Sequence, residues 1–503
     1  MSSPRSRLDD GRLLVDGAPF TVLGVELHNS SASTPVSIDA AWVAVARSGA
    51  NTVLAPVAWD QWEPTEGVFD TRLVDHLLAV ARAGGQRLIL LWFGSWKNGV
   101  SSYTPAWVKR DPHRFPLARR ADGEPLMALS TLADANAAAD ARAFASLMSH
   151  LREADAEHGT VVMVQVENEV GLLGTARDHG ALAERAWRQR PPARFGLDAW
   201  ADADADVDRA GEMFMAWHYG RYVDTVAEAG KREWPLPMYV NAWLDGDEDA
   251  NPMAGGTAPG DFPSGGPVPR MLEIWRAAAP SVDFAAPDVY AGDVFERASS
   301  YDASFGMQFI PEMRRDSPAQ LFRALGRTSA IGMAAFGVDS ASDGELARIA
   351  RAYAQLSAVA EVAGTGERAA FHLDDDRPRE SIALDGVTFE IERDFDPQGE
   401  GDLPDGYGLL VACADGFLLC GSGVVLTPRR ADGSRLWVES CVEVARADDG
   451  LVPARVLNGD ETGGGTHIRI TRDDPPGFGP VPIAASRTGI LSFRLYAAGA
   501  DSR

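Results

Sequence analysis

The chain has 503 residues, 45% of them hydrophobic and 24% charged, a soluble globular composition that excludes wholesale disorder, collagen-like repeats and a disulfide-stapled miniprotein. A formal net charge of −25, from 72 acidic against 47 basic residues, repels phosphate backbones and anionic lipid, so neither nucleic acid nor a membrane surface is an expected partner. No apolar run reaches the roughly 18 residues a membrane helix requires, and Met1–Asp10 lacks the apolar core of a secretory leader, so the expected address is cytoplasmic.

From Gly24 to about Ala363 short apolar runs alternate with helical periods, as in a βα repeat. A strand over Phe20–Glu26 opens the series and Asn51–Val57 follows. Val74, Leu77, Leu78 and Ala81 then share one helical face, stopped by Gly84-Gly85. Leu88–Phe93 is a continuous apolar run, as expected of a strand buried on both faces. A helix over Ala137–Ala156 feeds Val161–Val166, and one over Glu212–Ala229 precedes Met238–Trp243. Met271–Ala279 leads to Val282–Tyr290. Gly306–Pro311, a short helix near Gln320–Leu325, Ala330–Phe336 and a helix from Glu345 to Val362 complete eight strands. That count predicts a (β/α)8 TIM barrel over residues 1–365. After Gly364 the pattern turns to period two in Val387–Glu392, Leu436–Val444, His467–Thr471 and Ile490–Tyr496. It predicts a smaller antiparallel β-sandwich over 366–503. Its three cysteines, Cys413, Cys420 and Cys441, match no zinc spacing and read as reduced, buried thiols.

The polar loops Trp96–Leu129, Gly171–Asp208 and Asp245–Pro267 all follow strand ends, which puts them on a barrel's catalytic face. The alternating acids of Asp202–Asp208 fit a solvated helix start better than a calcium loop. The strongest chemical signal is Val164-Gln-Val-Glu-Asn-Glu-Val-Gly171, where a strand of valines ends in Glu167, Asn168 and Glu169. Carboxylates do not sit among valines without partners, so these belong at the strand's mouth. Strand alternation sends Glu167 and Glu169 to one side and Asn168 to the other unless a bulge intervenes. Gln308–Arg315 supplies a second carboxylate, Glu312, at the end of the seventh strand, although Pro311-Glu312 could also begin a helix. The fourth and seventh strands lie on opposing parts of an eight-strand rim, so the two glutamates can face one another. Glu26 and His28 are candidate sugar binders, with a metal pair as the alternative. Of the strand-end aromatics Trp59, Trp92, Trp96, Trp243, Tyr290 and Phe336, about half are expected to stack on a sugar. Asn241, ending the fifth strand, is a candidate hydroxyl binder. Neither a phosphate-binding loop, a dinucleotide fingerprint nor a His-Glu-x-x-His motif occurs, and no cofactor or metal is expected.

Gln165-Val-Glu-Asn-Glu-Val-Gly171 resembles the Gln-x-Glu-Asn-Glu-Tyr-Gly stretch of the glycoside hydrolase family 35 β-galactosidases, with Val170 standing where the family has Tyr. Leu13–Phe20 with Gly24–His28 resemble the opening of the same family, and the block Asn51-Thr-Val, Trp59, Trp62-Glu-Pro64 and Gly67-Val-Phe-Asp70 resembles one it shares with the related family 42. The segment after 365 resembles the C-terminal domain of a bacterial subgroup. The resemblance implies a retaining clan of (β/α)8 enzymes, with Glu169 as acid/base and Glu312 as nucleophile. It further implies Tyr290 bonding the nucleophile and Asn168 on the sugar's 2-hydroxyl, with Arg314 a second candidate for keeping Glu312 ionised. The expected substrate is a small carbohydrate carrying a terminal β-galactosyl group. A β-glucosidase, β-glucanase or mannanase and a non-catalytic carbohydrate-binding protein are the alternatives, and a homo-oligomer is an analogy to enzymes of this size.

Overall fold

The computed structural model describes residues 4–202, 207–246, 256–326, 329–363, 367–394, 405–447, 450–472 and 484–497. Most of the Asp202–Asp208 acidic stretch, the middle of the loop after the fifth strand and the expected boundary at 365 lie outside them. By compactness the chain forms two units, one of Met1–Arg314 with Ile331–Ala341 and one of Arg315–Ala330 with Ser342–Arg503.

Eight parallel strands close into a barrel: β1 (Val22–Glu26), β2 (Thr52–Ala58), β3 (Arg87–Lys97), β4 (Val161–Asn168), β5 (Met238–Trp243), β6 (Phe284–Val289), β7 (Gln308–Met313) and β8 (Ala330–Phe336). β3 runs four residues beyond its apolar core and β4 two, and both carry polar residues to the mouth. Each strand is followed by a helix: α1 (Pro35–Ser48), α2 (Arg72–Gly84), α3 (Asp134–Asp155), α4 (Val207–Glu233), α5 (Leu272–Ala278), α6 (Val294–Phe305), α7 (Pro318–Ala324) and α8 (Asp343–Ala363). The last two group with the second unit. α2 buries Val74, Leu77, Leu78 and Ala81, the face its spacing predicts. α6 escaped the sequence reading because its apolar face is thin. Its ends were nonetheless marked, since Asp293 accepts from the Phe295 and Glu296 amides and Gly306 stops it at φ 69°.

Leu13 and Val15, from an N-terminal three-stranded sheet, share one apolar cluster with Leu54, Ile89, Leu91, Phe93, Met163 and Phe309 of the barrel strands. The barrel is therefore a packed core, and open space is left at its mouth. Register sets the level of that mouth. Glu26 pairs with Phe336, and Asp288 with both Trp243 and Glu312. Neighbouring strands are about 4.8 Å apart, so these residues form part of one ring at the strands' C-terminal ends.

In the second unit, antiparallel strands β9 (Arg368–Leu373), β10 (Arg379–Leu384), β11 (Val387–Arg393), β12 (Gly406–Cys413), β13 (Gly416–Ser422), β14 (Val424–Arg430), β15 (Trp437–Ala447), β16 (Gly450–Leu457), β17 (Ile468–Ile470) and β18 (Ile490–Tyr496) form two sheets. Their orders are β9-β12-β13-β18-β15-β16 and β10-β11-β14-β17. Phe371, Leu410, Leu419 and Phe493 of the first share a core with Leu384, Phe389, Ile391 and Leu426 of the second. The three cysteines are unpaired, with Cys420 and Cys441 buried.

Candidate active site

A cavity of about 380 Å³ opens at the barrel mouth, lined by Asn29, Lys97, Asn98, Glu169, Trp243, Leu244, Asp288, Tyr290, Glu312 and Phe336. Carboxylate oxygens of Glu169, Asp288 and Glu312 lie within 4.8 Å of one another. The ends of β4, β6 and β7 thus converge on one point, and two of the three acids are those expected from strand-end position.

The tip of β4 explains why Glu169 enters the cavity and Glu167 does not. Both adopt left-handed backbone, φ 62° at Glu167 and 46° at Glu169, a conformation that costs a non-glycine residue of order 1 kcal/mol. The alternation expected of a strand ends there, and the two glutamates diverge. Glu167 turns to Asp140 of α3 and accepts from the Trp96 amide at 2.8 Å. Glu169 is held from two directions. Its amide donates to Asn241 Oδ1 at 2.8 Å, and Asn98 Nδ2 donates to its Oε2 at 2.5 Å. Asn241 in turn donates to Asp288 Oδ2 at 2.7 Å, so one amide on β5 ties the acid of β4 to the acid of β6.

Electrostatics separate the carboxyls. Burial pushes Glu169 up to about 7, with Lys97 opposing and the charge of Glu312 adding to the rise. Asp288 is raised well above the ordinary carboxyl range by burial and then by Glu312, Glu169 and Glu26. Glu26 is raised by burial and by Glu312. Tyr290 donates its hydroxyl to Glu312 Oε1, and burial followed by that carboxylate raises the phenol. Burial alone would lower Lys97, yet Glu169, Glu312, Glu26 and Asp288 outweigh it and hold the ammonium charged. The triad's spacing would also admit a cation, but the buried Lys97 ammonium already supplies positive charge to all three acids.

Of the residues singled out from sequence, Glu169, Glu312, Trp243, Tyr290 and Phe336 are brought together around the cavity. Asn168 is buried with neither end of its amide partnered, and Glu26 is buried at the end of β1 with Oε1 unpartnered; neither is among the lining residues. His28 bonds Asp339 through Nδ1 at 2.9 Å, its ring lies 5.0 Å from that of Phe336, and it is not among the lining residues. Asn241 acts through Glu169 and Asp288 rather than lining the space. Trp59 and Trp92 correct the expectation. Trp59 is wholly buried and donates to Glu63, and Trp92 is wholly buried, donates to Asp140 and packs on Phe144. Both indoles find their partners away from the mouth. Trp96 is likewise buried, edge-on to Tyr219 and Tyr222. Arg314 is exposed, and the Tyr290 hydroxyl bonds Glu312. Lys97, Asn98 and Asp288 were missed. Asp288 carried the same signal as Glu169, a carboxylate closing an apolar strand, in Phe284-Ala-Ala-Pro-Asp288.

Residues 37–203 match a glycosyl hydrolase 42 family model described as beta-galactosidase, and residues 349–469 match a domain of unknown function, DUF5597. No curated protein matches the chain. Among solved structures, a beta-galactosidase from the psychrophilic Marinomonas ef1 aligns at 12% identity with a TM-score of 0.47. The alignment covers 67% of this chain and 60% of that one, so the chain spans less than two thirds of that protein's length.

Proposed function

We propose that the chain is a retaining exo-glycosidase that removes terminal β-D-galactosyl residues from small glycosides. One observation carries the reading: Glu169 and Glu312, from opposite parts of the barrel, present carboxylate oxygens within 4.8 Å of each other in one cavity. Retaining enzymes hold their two carboxyls about 5–5.5 Å apart, whereas inverting enzymes leave about 6.5–9.5 Å for a water molecule. The spacing favours double displacement. The galactosyl preference rests on the family model matched by residues 37–203, and the exo mode on a cavity near the small end of the usual range of about 300–1,000 Å³.

The roles follow from the surroundings. Glu312, fixed by the Tyr290 hydroxyl, attacks the anomeric carbon. Glu169, its pKa pushed up to about 7, keeps a proton near neutrality and gives it to the departing glycosidic oxygen. As a carboxylate it then takes a proton from the water that hydrolyses the glycosyl ester on Glu312, and the configuration is retained. Trp243 and Phe336 offer apolar faces to sugar C–H surface; the 2-hydroxyl contact of Asn168, which does not line the cavity, rests on the family resemblance and on its unpartnered amide next to Glu169. Three unpaired cysteines accord with a reducing compartment and a cytoplasmic address. Among the described residues, no helix is long and apolar enough to cross a membrane.

A panel of nitrophenyl glycosides with the variants Glu169→Ala and Glu312→Gly tests the proposal. The galactoside should be the best substrate. Glu169→Ala should collapse on poor leaving groups and yield a β-glycosyl azide from activated ones, while Glu312→Gly should yield the α-azide. Survival of turnover in both variants overturns the site, and an inverted product from the intact enzyme overturns the nucleophile.

A further inference from the structure

Asp288 has no role in a two-carboxyl mechanism, yet it lines the cavity beside both reacting acids. Its Oδ2 is committed to Asn241. Its Oδ1 is buried with no amide, hydroxyl or ammonium donor on it, its carboxyl meets that of Glu169, and Asp288 as a whole is 5% exposed. Glu312 is the in-register neighbour on β7. Glu169 is joined to Asp288 through Asn241, whose amide spans both residues.

Charge in this space is constrained. Facing Asp288 are Glu169, Glu312 and Glu26, the ammonium of Lys97, and the phenols of Tyr239, Tyr290 and Tyr301. One cation balances one carboxylate, and a second or third ionised acid in the same buried volume would stand uncompensated. If the retaining reading holds, the single negative charge moves during turnover. It starts on Glu312 with Glu169 protonated. When Glu312 becomes the neutral glycosyl ester and Glu169 has given its proton to the leaving alcohol, the charge is on Glu169. Hydrolysis returns it to Glu312 as water protonates Glu169.

We infer that Asp288 is a positioning acid that remains protonated through the cycle and donates its Oδ1 hydrogen to whichever of Glu312 and Glu169 carries the negative charge. The proton on Asp288 is never transferred; only its acceptor changes, so the proton count of the reaction is unaltered. Asn241 holds Oδ2 still and leaves Oδ1 to follow the charge.

Asn is the isostere of a neutral Asp, so Asp288→Asn and Asp288→Ala separate this role from a structural one. Asp288→Asn should keep kcat/KM within about tenfold of the parent, with the basic limb of the pH profile unmoved. Asp288→Ala should lose about 100-fold or more, and its basic limb should shift to higher pH, because ionised Glu169 has lost a donor. Equal losses in the two variants, or an unmoved limb in Asp288→Ala, overturn the inference. The infrared difference between the parent and Asp288→Asn near neutral pH, read without substrate, should contain one protonated-carboxyl band. Its absence overturns the inference whether or not any glycoside is turned over. The glycoside panel tests the retaining reading separately, so failure of one is distinguishable from failure of the other.

Discussion

Glu167 and Glu169 stand two positions apart on one strand tip, both buried and both in left-handed backbone, and they belong to two different polar regions. Behind the tip, Glu167 lies in a closed network. It meets Asp140, which accepts from Trp92 Nε1 at 2.9 Å and the Ser95 amide at 3.0 Å, while the Ser95 hydroxyl meets Tyr222 at 2.7 Å. At the mouth, Glu169 lies in a region left open on one side, where Asp288 Oδ1, Glu312 Oε2 and Trp243 Nε1 are buried but unpartnered. Both glutamates are raised by burial. A shifted pKa therefore does not distinguish them. Unfilled hydrogen-bonding capacity does not distinguish them either, since Glu167 Oε1, Trp96 Nε1 and Tyr219 Oη are also buried without partners. The cavity does, because Glu169 lines it and Glu167 does not, so a substrate hydroxyl can reach the groups around Glu169 alone.

The largest effect expected from that contrast is on rate. Glu169→Gln should lower kcat/KM for substrates with poor leaving groups by about 10²–10⁴-fold, the usual contribution of a positioned general acid. Glu167→Gln should stay within severalfold of the parent, since a Gln amide can accept from Trp96 and donate to Asp140 as a protonated Glu does. In the parent the basic limb of kcat/KM should fall near pH 7, where Glu169 loses its proton, and it should remain there in Glu167→Gln. Comparable losses in both variants would erase the distinction between the two regions.

Stability should show the reverse order. Glu167→Leu strands the Trp96 amide and the Asp140 carboxyl inside the network, and chemical denaturation should report a loss of about 3 kcal/mol. Gly94→Ala attacks the same region sterically. A Cβ there would sit 2.4 Å from Trp92 Nε1, 2.7 Å from Glu167 Oε1 and 2.8 Å from Asp140 Oδ1. All three side chains are fixed by hydrogen bonds and cannot withdraw without breaking them, so a loss of about 2 kcal/mol is expected. If Gly94→Ala is neutral, the network is looser than this geometry requires.

The barrel was legible because strands buried on both faces read as continuous apolar runs, and Glu169 and Glu312 stood out as the charged ends of two of them. What escaped was direction. Nothing in Val164–Gly171 announces that left-handed backbone will split Glu167 from Glu169, because Glu is an uncommon residue in that conformation. Trp59 and Trp92 were misplaced for a related reason: an aromatic near a strand end can face the mouth or the surrounding helices, and only the partners Glu63 and Asp140 decide. Lys97 was missed because its meaning depends on four acids from four other strands meeting around it.

The most gradual expected effect is thermodynamic and returns to Glu169. Its pKa rises from an ordinary 4.5 to about 7 on folding, so between those values the folded chain binds more protons than the unfolded one. Stability then decreases as pH rises through that window. Well below pH 4.5 both states are protonated and Glu169 costs nothing; well above 7 the penalty is complete, at roughly 3 kcal/mol. Glu169→Gln removes the titration while preserving shape. Its stability relative to the parent should therefore grow from pH 4 to pH 8 by up to that amount, measured by denaturant unfolding at each pH. A gap that stays constant across the range would mean that Glu169 is as well solvated as an exposed carboxylate, and the mouth would then lack the closed surroundings that let it hold a proton for the leaving group.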